Sequence, residues 1–172
     1  TDFHTFASVL MKPIHELYPL LQQPRKVVIT PHQKPDADAM GASLALKHWL
    51  VKLGHQVTIV SPTNWAGWVN WMPGTSEVLD YDKEKEKADA ALDSADWLFC
   101  LDFNIFHRTK TMTEKLKQLT CTKILIDHHQ EPDEASFDYG ISDTAKSSTC
   151  EMIYDLIVDS GHAEQIDPVI GE

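Results

Sequence analysis

Between two apolar runs, residues 32–38 read His32-Gln33-Lys34-Pro35-Asp36-Ala37-Asp38, placing one imidazole and two carboxylates within a single polar turn. Two other stretches end in side chains of the same kind: Asp102 after an apolar run, and Asp127-His128-His129 after another. Imidazole lone pairs and carboxylate oxygens suit a hard or borderline divalent cation, Mn²⁺ better than thiolate-bound zinc. A turn built to cradle phosphate on backbone amides would carry glycines, and none occurs here before Gly41. The competing reading is local: Asp36 or Asp38 caps the helix that follows, and Pro35 punctuates the turn. The three cysteines, Cys100, Cys121 and Cys150, are far apart with no CxxC pair, so neither a disulfide frame nor a zinc knuckle is indicated. They point to a reducing, cytoplasmic setting.

The elements that must position these groups follow from periodicity. Residues 27–30, 56–60, 96–101 and 123–126 are short β-branched or aromatic runs that read as buried strands, and Val78-Leu79 as a shorter one. Helical spacing covers 42–50, 111–119 and 148–158, the last through Met152, Ile153, Leu156 and Ile157, with Gly54 and Gly161 as stops. A helix is expected over 3–21, bent or interrupted at Pro13, and another over 163–170, opened at Pro168. Residues 82–87 read as a solvated helical face, and 132–140 as a loop or edge strand. Trp65, Trp68 and Trp71 recur every third residue, which favours one face of a short core-packed helix over a base-stacking shelf. Strand–helix–strand alternation predicts an α/β fold, a mostly parallel sheet with helices on both faces. In such a sheet the carboxyl ends of the strands share one rim, so His32, Asp36, Asp38, Asp102 and His128 can meet in space.

At 172 residues, 42% hydrophobic and 24% charged, the chain is sized for one globular domain. A net charge of −11 argues against a broad basic face gripping duplex DNA. Short anionic substrates remain compatible with it where cations neutralise the phosphate. No apolar run approaches the ~20 residues of a membrane span, and the opening residues given do not read as a basic-then-apolar leader. His4, His15, His48, His55, His107 and His162 have no partner pattern and read as surface or core residues.

The segments HQKPDADAMGAS, LDFNIFHR and IDHH resemble motifs I, II and III of the DHH phosphoesterase superfamily, which includes RecJ. KSSTCEMIYDLI resembles the serine-bearing helix of the branch containing oligoribonuclease and phosphoadenosine-phosphate phosphatase. The resemblance covers most of residues 25–172 and implies a two-metal hydrolase. It implies that His32, Asp36 and Asp102 hold one ion and Asp38, Asp102 and His128 the other, with Asp102 bridging. The cations implied are Mn²⁺, with Mg²⁺ or Co²⁺ as alternatives. The resemblance implies hydrolysis by a water that the bound ions would activate for attack on phosphorus. Asp127 is the implied carboxylate behind a metal-bound imidazole. His129 faces the substrate or assists the leaving group. Arg108 is a phosphate contact or a surface ion pair, and Ser147 and Ser148 are phosphate donors or helix caps.

Two family features are not matched: the fourth motif's Asp, and the separate C-terminal substrate domain. Asp155 fits no motif and is not a substitute. Residues 1–172 are therefore expected to be a DHH catalytic domain incomplete at its C-terminal end, with an under-ligated second ion. The leading expectation is a metal-dependent phosphoesterase for small nucleotides: short single-stranded RNA, 3′-phosphoadenosine 5′-phosphate or dinucleotides. The alternatives are phosphoanhydride hydrolysis, as by pyrophosphatase or exopolyphosphatase, and a non-catalytic nucleotide- or metal-binding protein. Oligomeric state stays open, a homodimer included.

Overall fold

The computed structural model describes residues 10–172. In chain order the elements are β1 (Lys12–Pro13), a 3₁₀ helix (Ile14–Leu20), β2 (Lys26–Thr30), α1 (Ala37–Lys52), β3 (Gln56–Ser61), β4 (Leu79–Asp80), α2 (Lys85–Ser94) and β5 (Trp97–Leu101). A 3₁₀ segment (Phe106–Met112) leads into α3 (Thr113–Gln118), and β6 (Thr122–Asp127), β7 (Tyr139–Ser142), α4 (Thr149–Asp159) and α5 (Pro168–Gly171) complete the chain. Among the described residues seven strands form one sheet in the order β1-β7-β6-β5-β2-β3-β4, and every pairing there is parallel.

Side chains that alternate along each strand build two cores. Val27, Ile29, Trp97, Phe99, Leu101, Ile124 and Ile126 turn to the face covered by α1 and α4, against Leu46, Trp49, Ile153 and Ile157. Val28, Leu98, Cys100 and Leu125 turn to the other face and meet Leu92 of α2 and Leu116 of α3. A sheet buried on both sides needs the near-continuous apolar strands that 27–30, 97–101 and 124–126 supply. The expected α/β architecture with helices on both faces is therefore found.

The order of strands decides where a ligand can sit. From β2 the chain winds outward to β3 and β4, then returns to β5 on the opposite side of β2 and continues to β6. That reversal opens a crevice beyond the carboxyl ends of β2 and β5, where open α/β sheets take their ligands. β6, β5 and β2 are direct neighbours, so the three chemistry-bearing strand ends lie side by side.

Three expectations change. The helix expected over 3–21 falls partly outside the described residues; from residue 10 onward it is replaced by β1 and the 3₁₀ helix. Pro13 and Pro19 lack the N–H that an α-helix needs, and a 3₁₀ segment beginning after Pro13 tolerates both. The tryptophans share no core-facing helix: Trp68 and Trp71 are 64% and 60% exposed, and only Trp65 packs partly against the core. Only Trp68 falls in the short 3₁₀ turn there, Gly67–Val69, which stops before a helical face can form. Residues 139–142 form an internal strand, because β1 pairs outside β7. There a Cβ on Gly140 would lie 2.5 Å from the Leu125 carbonyl oxygen, so close strand packing explains the glycine.

Candidate metal centre

The first ligand set is positioned by the β2–α1 turn. The β-branched run of β2 ends at Thr30, and Pro31 carries the chain onto the rim at His32. His32 is buried, and its Nδ1–H donates to the Gln33 carbonyl at 2.7 Å. That bond leaves Nε2 facing the crevice, a lone pair when the ring is neutral and a donor when it is protonated, 3.4 Å from Asp102 Oδ2 and 3.9 Å from Asp36 Oδ1. Asp36 also caps α1, accepting from the Ala39 N–H at 3.0 Å. The capping and ligand readings of Asp36 are thus compatible, because a carboxylate has lone pairs to spare.

Asp102 stands at the centre. It follows β5 directly and adopts φ 62°, a left-handed conformation that Asp tolerates better than most residues. The kink turns a buried side chain, 3% exposed, back across the strand ends. Oδ2 faces His32, while Oδ1 lies 3.2 Å from His128 Nε2 and 4.0 Å from His129 Nδ1. The buried Thr149 hydroxyl donates to Oδ1 at 2.9 Å. Burial alone would raise the Asp102 carboxyl, but donation from His32 and Thr149, with the charges of His32 and His129, holds it below the usual carboxylate range. Burial likewise opposes charge on His32, yet the Asp102 and Gln33 hydrogen bonds prevail and raise its pKa.

Asp38 comes from the first turn of α1, and its Oδ2 lies 3.7 Å from His128 Nε2. Its two oxygens accept from the backbone N–H groups of Thr149 and Cys150, each at 2.8 Å. Asp127, fully buried at the end of β6, grips His129 and not His128: the ring Nδ1–H donates to Oδ1 at 2.6 Å and the backbone N–H to Oδ2 at 3.1 Å. With its Nδ1 proton committed to Asp127, His129 has no lone pair on the side facing Asp102. The ring therefore suits proton or hydrogen-bond work better than metal ligation through that atom.

The donor set fits two divalent cations. Ligand atoms of His32, Asp36 and Asp102 all lie within 4.8 Å of one another, and so do those of Asp102, His128 and His129; with His129 Nδ1 committed to Asp127, the third donor on that second side is Asp38, whose Oδ2 is 3.7 Å from His128 Nε2. A bare imidazole nitrogen aimed at carboxylate oxygens is repulsive unless a cation or proton lies between them. Among the described residues no Lys or Arg nitrogen approaches Asp36, Asp38 or Asp102 within 4.0 Å. A buried carboxylate without a basic side chain is the environment that a metal ion completes.

The remaining expected residues are placed as follows. The Arg108 carbonyl accepts the Gln33 N–H at 3.0 Å, which ties the 106–112 segment to the His32 turn, and no carboxylate pairs with its guanidinium among the described residues. Ser148 is the N-cap of α4, accepting from the Glu151 N–H at 3.1 Å. The Ser147 hydroxyl donates to the Glu151 carboxylate at 2.7 Å. Asp155 pairs with Lys146 at 2.7 Å on α4. Thr149 escaped notice in the sequence. Its signal was a hydroxyl on the apolar stripe, three and four residues before Met152 and Ile153.

Fold and centre together define a parallel α/β domain whose topological crevice carries a carboxylate–imidazole cluster of a kind that could hold divalent cations. The model of the DHH family, N-terminal domain, matches residues 26–171, and the chain belongs to that family. Members of the family are metal-dependent hydrolases. Among solved structures the chain is similar to an exopolyphosphatase-related protein from Bacteroides fragilis, with TM-score 0.88 and 34% identity, covering 91% of this chain and 46% of that one. The chain thus spans about half the length of that protein. A structure of exonuclease RecJ bound to manganese also matches, with TM-score 0.49 and 16% identity, over 91% of this chain and 40% of that one. A comparison with curated proteins finds no match. Among the described residues no helix is long and apolar enough to cross a membrane.

Proposed function

We propose that this chain is the catalytic domain of a phosphoesterase that uses two divalent cations, most simply Mn²⁺, to hydrolyse phosphate esters of small nucleotides. The observation that carries this reading is the Asp102 carboxylate, whose Oδ2 faces His32 and whose Oδ1 faces His128. On this reading His32, Asp36 and Asp102 hold one ion and Asp38, Asp102 and His128 the other. When bound, the ions supply positive charge that acidifies water and polarises the phosphoryl oxygens. Asp127 fixes the tautomer of His129 and leaves its Nε2 for a phosphoryl oxygen or the leaving group. Arg108, free of ion pairs among the described residues, is the phosphate contact. The acidic chain, at −11, suits a short anionic substrate neutralised by metal better than duplex DNA.

A second reading has its own support. The 34% identity to an exopolyphosphatase-related protein favours attack on phosphoanhydrides by the same residues. Full-length protein with added Mn²⁺ should be offered 3′-phosphoadenosine 5′-phosphate, pApA, a short RNA, pyrophosphate and polyphosphate. Faster release of phosphate or mononucleotide from the first three supports the nucleotide reading. Preference for the last two overturns it in favour of the second, and turnover of none sinks both.

A further inference from the structure

Three donors at the start of α4 reach the metal-competent carboxylates from the far side. The helix begins at Ser148, whose extended backbone (φ −158°, ψ 159°) lets its own Oγ accept the Glu151 N–H. That cap satisfies one of the orphan amides of the first turn. The next two, on Thr149 and Cys150, are spent on the two oxygens of Asp38, both at 2.8 Å. The Thr149 hydroxyl, on a fully buried residue, donates to Asp102 Oδ1 at 2.9 Å, the same oxygen that faces His128.

We propose that Thr149 is the positioning residue of the metal pair, its hydroxyl setting the rotamer of the bridging Asp102 while its N–H holds Asp38. This rests on the two-cation reading of the site. Asp102 has a single rotatable carboxylate that must present one oxygen to each ion. Without a donor on Oδ1 nothing on the α4 side fixes its plane. A hydroxyl suits that role because it donates one proton, carries no charge to compete with a cation, and leaves further lone pairs on Oδ1. Placement on the buried stripe of α4 locks the threonine itself, since Met152 and Ile153 one turn on anchor the helix to the sheet. The α4 N-terminus also brings the positive end of its dipole towards both carboxylates, which attracts their oxygens to the helix start and helps to hold them in place.

The test is manganese binding by isothermal titration, using full-length wild-type protein, Thr149→Val and Thr149→Ser. Val keeps the volume and removes the donor; Ser keeps the donor and removes the methyl. Mn²⁺ affinity should fall about 10–100-fold in Thr149→Val, as for other losses of a group that orients a ligand, and stay within about 3-fold of wild type in Thr149→Ser. Equal binding by all three proteins would overturn the proposal, and so would Ser and Val losing affinity alike, which would assign the effect to packing. Far-ultraviolet circular dichroism without metal confirms folding. If Thr149→Val does not fold, Thr149→Ala against Thr149→Ser decides by the same criterion. A wild-type protein that takes up no Mn²⁺ at all would instead refute the metal reading on which the proposal stands.

Discussion

Replacing Asp102 by Asn removes one charge and almost no volume, and Asn tolerates the left-handed φ of 62° as well as Asp does. The metal-free variant should therefore fold. Two effects oppose each other in that state: the Asp102 and Asp36 ligand oxygens lie within 4.8 Å of one another, a repulsion of roughly 3 kcal/mol at an effective dielectric of 20 that the exposure of Asp36 reduces to about 1 kcal/mol. The same change weakens the His32 and Thr149 hydrogen bonds that hold Asp102 below the usual carboxylate range, so the metal-free melting temperature should stay within a few degrees of wild type. Cation binding should behave in the opposite way. In wild-type protein, Mn²⁺ at a hundred times its Kd stabilises by about 2.7 kcal/mol per site, which is about 5–11 °C in a chain of this size. If one carboxylate serves both ions, as proposed, Asp102→Asn should abolish nearly all of that rise, and with it Mn²⁺-dependent hydrolysis. Differential scanning fluorimetry at matched Mn²⁺ concentrations reads the shift directly. A variant whose melting temperature rises as far as wild type would refute the bridging role. One that is unfolded without metal would show Asp102 to be structural.

Three further outcomes are expected. His129→Ala should retain Mn²⁺ affinity and lower kcat by about 10²–10⁴-fold, the usual worth of a positioned proton-transfer group; parallel loss of metal binding in a calorimetric titration would make it a ligand instead. Gly140→Ala forces a Cβ to 2.5 Å from the Leu125 carbonyl oxygen, and should cost about 1–3 kcal/mol, or about 2–12 °C in melting temperature; an unchanged melt would contradict the tight β6–β7 packing. Burial lowers the pKa of His55, whose Nδ1 accepts the Arg25 N–H at 3.0 Å while Nε2–H donates to the Leu21 carbonyl at 2.8 Å. The unfolded chain, titrating near 6.5, then binds the extra proton first, so this stabilisation is complete above that pH and is lost as pH falls below it. Chemical denaturation from about pH 7.5 to about pH 5.5 should show a steeper loss for wild type than for His55→Gln, and parallel curves would refute it.

Local chemistry made much of this legible. Short apolar runs of β-branched or aromatic residues bounded by turn signals read as buried strands, so the positions of β2, β3, β5 and β6 were readable from residue types alone. Helix stops were equally plain where a glycine takes positive φ, as Gly54 does at 94°. Periodicity misled where spacing had no continuous backbone to act on. The tryptophans repeat every third residue but meet only an interrupted 3₁₀ turn, and the proline-flanked 12–20 stretch cannot close α-helical hydrogen bonds.

The candidate ligands themselves were determined by sequence, because only certain side chains offer lone pairs to a cation and each stood just past an apolar run. Their grouping was decided by tertiary structure. Strand order is a long-range matter, and only the adjacency of β6, β5 and β2 brings Asp102 between His32 and His128. Hydrogen-bond allegiance was decided there too: Asp127 to His129, Asp38 and Asp102 to Thr149. Those pairings join residues up to 111 positions apart, a separation that no local pattern encodes.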